Sequence, residues 1–289
     1  MKKDYWLLLL LAALWGGSFL FMRVAVPSLG PLPLIELRLS LAALTLLPVL
    51  CWQGGLALWR QHWLRIAISG GIFLSALPFC LIAWASLSLP AGVASVLNAT
   101  TPLMTALWAL PLAGEKLTAQ RSSGLLLGLA GVVVLMLGRG AGFTAGSLLP
   151  VLAMLAATCC YGWAGHMTRR WLQGVPPLVI STGMLSSGAL LLLPLAWWQW
   201  PAVTVPPKVW GSVLALALAS TALAYLIFYR LIARLGATQA SGVTYLVPVF
   251  GVLWGALLLG ETINSSMLLG AALILAGVVL LSWQPGRAR

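Results

Sequence analysis

Residues 97–118 read LNATTPLMTALWALPLAGEKLT, and residues 244–263 read TYLVPVFGVLWGALLLGETI. Each stretch sets a proline in an apolar run, then a tryptophan, then Gly-Glu before a threonine. Pro102, Trp108 and Gly114-Glu115 in the first stand 146 residues before Pro248, Trp254 and Gly260-Glu261 in the second. The same offset, without a gap, carries Trp15-Gly16 onto Tyr161-Gly162, Arg23 onto Arg169, Pro31 onto Pro177, Pro48 onto Pro194 and Trp52 onto Trp198. It also carries Gly124 onto Gly270 and Gly131 onto Gly277. Self-similarity at one fixed offset is the mark of a duplicated structural unit. The chain divides into two copies, at 1–140 and 147–284.

The composition says what kind of unit is duplicated. Of the 289 residues, 61% are hydrophobic and 7% charged, against about a quarter charged in a soluble domain, which excludes a water-soluble globule. A helix needs roughly 20 mainly apolar residues to cross a bilayer. Ten such windows occur, near 5–25, 32–52, 65–87, 89–111, 120–138, 148–168, 177–198, 210–232, 237–259 and 266–284. Continuous apolar runs exclude the alternating strands of a membrane barrel. Five spans per copy is an odd number, so the second copy must be inverted in the membrane relative to the first. The predicted fold class is all-α integral membrane: ten transmembrane helices as two inverted five-helix repeats.

The net charge of +12 fits orientation better than nucleic-acid binding, because the basic residues lie singly or in pairs between apolar runs. With the N-terminus inside, Lys2, Lys3, Arg60, Arg65, Lys116, Arg121, Arg169, Arg170, Arg230, Arg234, Arg287 and Arg289 are cytoplasmic, while Arg139 and Lys208 are outside. Positive loops stay on the cytoplasmic side, so both termini are expected there, in the cell (inner) membrane. Trp6, Trp52, Trp63, Trp197, Trp198 and Trp283 fall at span ends, as interfacial anchors do.

Inverted repeats with a site near the midplane are a common architecture of secondary transporters. The blocks ALWGGSFLFMR at 13–23, ELR at 36–38, the two Pro–Trp–Gly-Glu stretches and GAALILAGVVLL at 270–281 resemble the drug/metabolite transporter superfamily, specifically its ten-helix EamA-type members. The resemblance covers nearly the whole chain. It implies a bundle of two inverted repeats around a central cavity, acting mostly in efflux of amino acids or related metabolites.

Candidate cavity residues are chosen by depth. Trp15 and Tyr161, each followed by Gly, lie at the middle of the first and sixth spans, where ring faces can flank a cavity. Pro102 and Pro248 interrupt the fourth and ninth spans, each freeing a carbonyl four residues earlier, at Asn98 and Thr244. Asn98, Thr101 and Tyr245 add polar groups beside the two prolines. Thr221, Tyr225 and Tyr229 form a stripe at helical spacing, and Trp163 is a further aromatic candidate. Arg38, two turns into the second span, is costly there unless it faces the bundle interior. It can bind a substrate carboxylate or tie helices together, with Glu36 or a carbonyl as partner; its repeat mate is Met184. Glu115 and Glu261 are expected in loop or capping roles, with Thr118 and Thr262 starting the helices that follow.

The acids are Asp4, Glu36, Glu115 and Glu261, none at mid-depth, so no central carboxylate carries a coupling ion. No nucleophile–base set, metal-ligand cluster or nucleotide loop occurs; the reading is not an enzyme, with no cofactor and no metal. Cys51, Cys80, Cys159 and Cys160 are read as packing residues. The expected function is secondary export of small metabolites such as neutral or aromatic amino acids, by alternating access between the repeats. An importer or exchanger of a larger, nucleoside-like metabolite, and a non-transporting membrane subunit, are the alternatives. The expected partners are a small-molecule substrate and membrane lipid, with no nucleic acid, in a monomer or homodimer.

Overall fold

The computed structural model describes residues 2–138 and 145–282; Arg139, Trp283, Arg287, Arg289 and the outer limits of the two copies fall outside these. Among the described residues there are ten apolar helices and no strand. They are α1 (Asp4–Leu29), α2 (Pro31–Trp52), α3 (Leu56–Ala85), α4 (Ala91–Ala113), α5 (Ala119–Leu137), α6 (Leu148–Trp171), α7 (Pro177–Trp198), α8 (Pro207–Leu235), α9 (Gln239–Leu259) and the shorter α10 (Ser265–Leu281). The first nine are long and apolar enough to cross a membrane. Prolines at the starts of α2, α7 and α8 fit a position whose N–H has no intrahelical partner. Gly114 and Gly260 end α4 and α9 with φ of 65° and 67°, a left-handed turn that glycine adopts without strain.

Tight connections make successive helices antiparallel, so the bundle has a near face, where α1 begins, and a far face. The cross-links agree. Arg234 at the end of α8 donates to Asp4 at 2.7 Å, and Gln120 at the start of α5 donates to the Leu280 carbonyl at 2.6 Å, both on the near face. Trp52, Trp197 and Trp198 sit at span ends and are more than 80% exposed, as rings facing the membrane interface would be.

The duplication is visible at atomic detail. The Trp254 indole donates to the Ala13 carbonyl at 3.1 Å, and its mate Trp108 donates to the Cys159 carbonyl at 3.1 Å. These pins fix two helix crossings, α9 on α1 and α4 on α6. A Cβ on Gly16 would stand 2.7 Å from Phe250 Cβ and 2.8 Å from the Gly251 amide; one on Gly162 would stand 2.8 Å from the Met104 carbonyl carbon and the Thr105 amide. Helix α5 meets α10 through Gly124 against Gly277 and Gly131 against Gly270, where an added Cβ would come within 2.9 Å of the partner's carbonyl oxygen. Small residues let apolar helices approach closely, and in a bilayer this packing replaces the hydrophobic drive available in water. Replacing Trp254 or Trp108 by phenylalanine keeps an aromatic ring but a smaller one, and removes the indole N–H, whose hydrogen bond is worth about 1 kcal/mol. We expect both variants to lose a few degrees of thermal midpoint in detergent, Trp108→Phe no less than Trp254→Phe, because the Trp108 N–H also lies 3.3 Å from the Cys159 sulfur.

Four departures from regular α-helix place the interior. Residues Ala67–Ala76 of α3 and Ala215–Leu223 of α8 are π-helical, and the two stretches largely coincide under the repeat offset. Helix α4 breaks between Asn98 and Thr101, and α9 opens with a 3-10 turn over Gly242–Tyr245 before resuming at Val247. The breaks fall just before Pro102 and Pro248, the positions that cannot donate to a preceding turn.

Candidate functional site

Where the two broken helices, the two π-helical stretches and the middles of α1 and α6 converge, they enclose a cavity of about 360 Å³. Its wall is assembled from repeat mates: Trp15 with Tyr161, Phe79 with Tyr225, Ile82 with Phe228, Leu74 with Ser220, Asn98 with Thr244, and Pro102 with Pro248. The cavity therefore sits on the pseudo-two-fold axis. Of the residues anticipated from sequence, Trp15, Arg38, Asn98, Thr101, Pro102, Tyr161, Tyr225, Tyr245 and Pro248 line it. Three stand elsewhere, Thr221 among them, buried behind the wall against Arg38. Trp163 packs against Phe73 at 4.5 Å and Trp171 at 5.9 Å between ring centroids, toward the near face. Tyr229 lies behind the wall, stacked on Tyr225 at 5.9 Å and 14°.

The aromatic part of the wall is drawn from several helices. Phe228 and Tyr225 project from α8 onto Trp15 of α1, with centroids 5.2 and 6.5 Å away. Phe79 meets Tyr161 edge-on at 6.4 Å. Phe79, Phe228, Phe19, Ser95 and Ser220 belong to the wall and were not anticipated. Applying the offset to Tyr225 would have pointed to Phe79.

The polar part is sparse. The carbonyls exposed at the α4 break are met by hydroxyls, Thr100 donating to Leu97 and Thr101 to Asn98, each at 2.8 Å. Arg38 is 5% exposed. Its Nε donates to the Thr221 hydroxyl at 2.9 Å, its guanidinium carbon lies 3.8 Å above the centre of the Phe79 ring, and Nη1 lies 3.9 Å from the Met22 sulfur. Thus neither Glu36 nor a carbonyl is its partner: Glu36 accepts from Ser40 instead. No carboxylate stands among the described residues of the wall.

At the far face two side chains tie down the α3–α4 loop. Glu261 reaches from the α9–α10 loop to the start of α4, where its two carboxylate oxygens accept from the Ala91 amide at 2.6 Å and the Gly92 amide at 3.0 Å. It thus caps a helix of the opposite repeat, while Asn264, not Thr262, caps α10 by accepting from the Met267 amide at 2.8 Å. Arg23 donates to the Ser86 and Leu87 carbonyls at 2.6 and 2.7 Å, holding the end of α3. The α3–α4 loop is clamped at both ends. On the near face the mates of these residues are arranged otherwise: Glu115 pairs with Arg121 at 2.6 Å, and Glu115 and Arg169 are exposed. Thr118, as anticipated, caps α5.

Such a fold, a duplicated and inverted ten-helix bundle with a central cavity, defines a class of membrane transport proteins. The model of the EamA-like transporter family matches residues 2–137 and 148–283, so the chain belongs to that family, whose members are transporters and not enzymes. It is a multi-pass membrane protein. It is 28% identical over 98% of its length, and 94% of the relative's, to a Streptantibioticus cattleyicolor protein named "Probable terminal-alkyne amino-acid exporter". It is 29% identical over 96% of its length, and 94% of the relative's, to a Salmonella typhimurium protein named "Probable amino-acid metabolite efflux pump". A solved crystal structure with 22% identity superposes with a TM-score of 0.67, covering 97% of this chain and 96% of the other, which agrees in fold.

Proposed function

We propose that the protein is a secondary exporter of small zwitterionic metabolites, neutral or aromatic amino acids among them, working by alternating access between its two repeats. The observation that carries this reading is the central cavity. Its size falls within the range of small-molecule sites, roughly 300–1,000 Å³; its wall is mostly aromatic and apolar, with few polar groups. The names of the two relatives above support an amino-acid cargo. The bias of basic residues toward the near face supports a cytoplasmic near face, with both termini inside the cell membrane.

The two clamps give alternating access a physical form. In this conformation Glu261 and Arg23 hold the far-face loop, and Thr244, on the wall toward the near face, is exposed. In the opposite conformation Glu115 and Arg169 hold the α8–α9 loop in the same way, and the far-face clamp is released. The breaks at Pro102 and Pro248 are the hinges. The exchange is symmetric in topology but not in chemistry, because Arg121, which holds Glu115 here, has Met267 as its mate.

The test is solute flux in proteoliposomes of purified protein. We expect movement of at least one neutral amino acid from a broad panel, above empty vesicles. Protein that moves none of them, with or without a pH gradient, overturns the exporter reading; selective movement of nucleosides would replace it with the larger-metabolite one.

A further inference from the structure

Two buried polar atoms on the cavity wall have no hydrogen-bond partner: the side-chain oxygen of Asn98 and the hydroxyl of Ser220. A buried polar group without a partner costs free energy comparable to a lost hydrogen bond, so two of them on residues that line the cavity, each covered in this conformation, point to a ligand whose entry completes them. A third feature shares the wall. Arg38 is 95% buried by its 5% exposure, has five N–H donors, and uses one on Thr221 and a weak one on Met22. No acidic side chain pairs with it. A guanidinium in so apolar a setting is stabilised by an anion, and its planar fork matches a carboxylate held through two hydrogen bonds.

The structure also explains why this arginine is held ready. In the π-helical turn of α8, Thr221 donates its proton to the Leu216 carbonyl at 2.8 Å, which leaves the hydroxyl oxygen to accept from Arg38 Nε. The turn thereby fixes one edge of the guanidinium, the Phe79 ring lies beneath its face, and Nη2 is left for a ligand. Ser220 is the adjacent residue on the same turn. In the other repeat the mate of Thr221 is Ser75, which donates to the Gly71 and Met184 carbonyls, and Met184 stands where Arg38 stands. The cation is therefore at one end of the cavity only, which gives a bound molecule a direction.

We infer that Arg38, Ser220 and Asn98 form a head-group site for an α-amino acid: the carboxylate on Arg38 and Ser220, the ammonium donating to the Asn98 oxygen, and the side chain against Trp15, Tyr225 and Phe228. This deepens the exporter reading and rests on it. The site requires both charges of the zwitterion. An amine or amide lacking the carboxylate leaves Arg38 buried without an anion, and an acid lacking the ammonium leaves the Asn98 oxygen unmet.

The experiment uses phenylalanine, phenylalaninamide and 3-phenylpropionate as competitors against transport of the amino acid that moves best in proteoliposomes, and as stabilisers of the purified protein in thermal melts. We expect each analogue to compete at least about tenfold less well than phenylalanine. Arg38→Gln removes the discrimination against phenylalaninamide and Asn98→Leu that against 3-phenylpropionate. Arg38→Lys, which keeps the charge without the fork, retains part of it. Equal competition by phenylalanine and both analogues in the wild-type protein overturns the head-group site while transport of an amino acid stands, and needs no variant to fold. Retained discrimination in folded Arg38→Gln overturns the assignment to Arg38. Neither transport nor stabilisation by any amino acid overturns the exporter reading, and this site with it.

Discussion

Gly16→Val and Gly162→Val are each expected to abolish the monodisperse folded protein extracted from the membrane, read by fluorescence-detected size exclusion of a tagged chain. A methyl group at either position meets main chain: the Gly251 amide at 2.8 Å and the Phe250 carbonyl carbon at 3.0 Å in one case, with the Phe250 Cβ at 2.7 Å, and Met104 and Thr105 at 2.8 Å in the other. A flexible side-chain tip could swing aside, but a neighbouring helix backbone moves only if the whole crossing opens. Glycine to alanine inside a helix gains up to about 1 kcal/mol in intrinsic propensity, whereas overpacking costs about 1–3 kcal/mol, and the two further methyls of valine add to the cost. The crossing also carries the Trp254 or Trp108 indole bond, which would be lost as the helices part. Gly165→Ala is the control: no atom lies within 4 Å of the Cβ it would add, so the folded peak is expected unchanged. Monodisperse, heat-stable protein from both valine variants would mean that the crossings are looser than the geometry implies.

Those crossings also show what a single sequence can and cannot disclose. The fold was legible because two independent signals agree: apolar runs of membrane length, and Trp, Pro and Gly repeating at one offset. Most of the candidate cavity was legible for the same reason, since mid-depth aromatics and prolines in both copies must meet near the axis that relates them. Phe79 and Phe228 were passed over as ordinary apolar residues, although the offset links Phe79 to Tyr225. What the chain could not disclose is any pairing without periodicity. The bond from Arg38 to Thr221 joins positions 183 residues apart, and that from Glu261 to Ala91 spans 170. The π-helical turns of α3 and α8 leave no mark in hydrophobic spacing, because both stretches are mostly small and apolar and their few hydroxyls, at Ser69, Ser75, Ser220 and Thr221, follow no common period. Trp163 was chosen as an aromatic near the right depth, and rotation about the helix axis, which depth does not fix, turns it away from the cavity; Tyr229 was chosen with Thr221 and Tyr225 as one stripe, and it stacks on Tyr225 one turn further along α8, off the wall.

The far-face clamp predicts the second large effect, and it falls unequally on the two related glutamates. Glu261→Gln keeps the shape of the side chain but leaves one neutral oxygen to accept at the start of α4 and sets an NH2 donor against the other backbone amide. Hydrogen bonds to a charged group are worth about 1.5–3 kcal/mol, so weakening this clamp shifts the balance between the two conformations by about ten- to a hundredfold. The carboxylate lies where a side chain at Gly255 would otherwise stand, so this glycine lets it fold back onto its own helix while reaching α4; the mate of Gly255 is Ala109. Glu115→Gln, by contrast, disturbs a half-exposed ion pair with Arg121, and exposed pairs contribute about 0–1 kcal/mol. The readout is reaction of a cavity cysteine, Ile82→Cys in a chain whose Cys51, Cys80, Cys159 and Cys160 are replaced by alanine, with a membrane-impermeant maleimide applied to right-side-out vesicles. Ile82 lies on the wall close to the far face and is 3% exposed. Labelling from outside is expected to be slow in the parent chain, at least tenfold faster with Glu261→Gln, and unchanged with Glu115→Gln. Equal rates in all three would show that the far face is held by packing alone. Acceleration by Glu115→Gln and not by Glu261→Gln would reverse the assignment of the two faces.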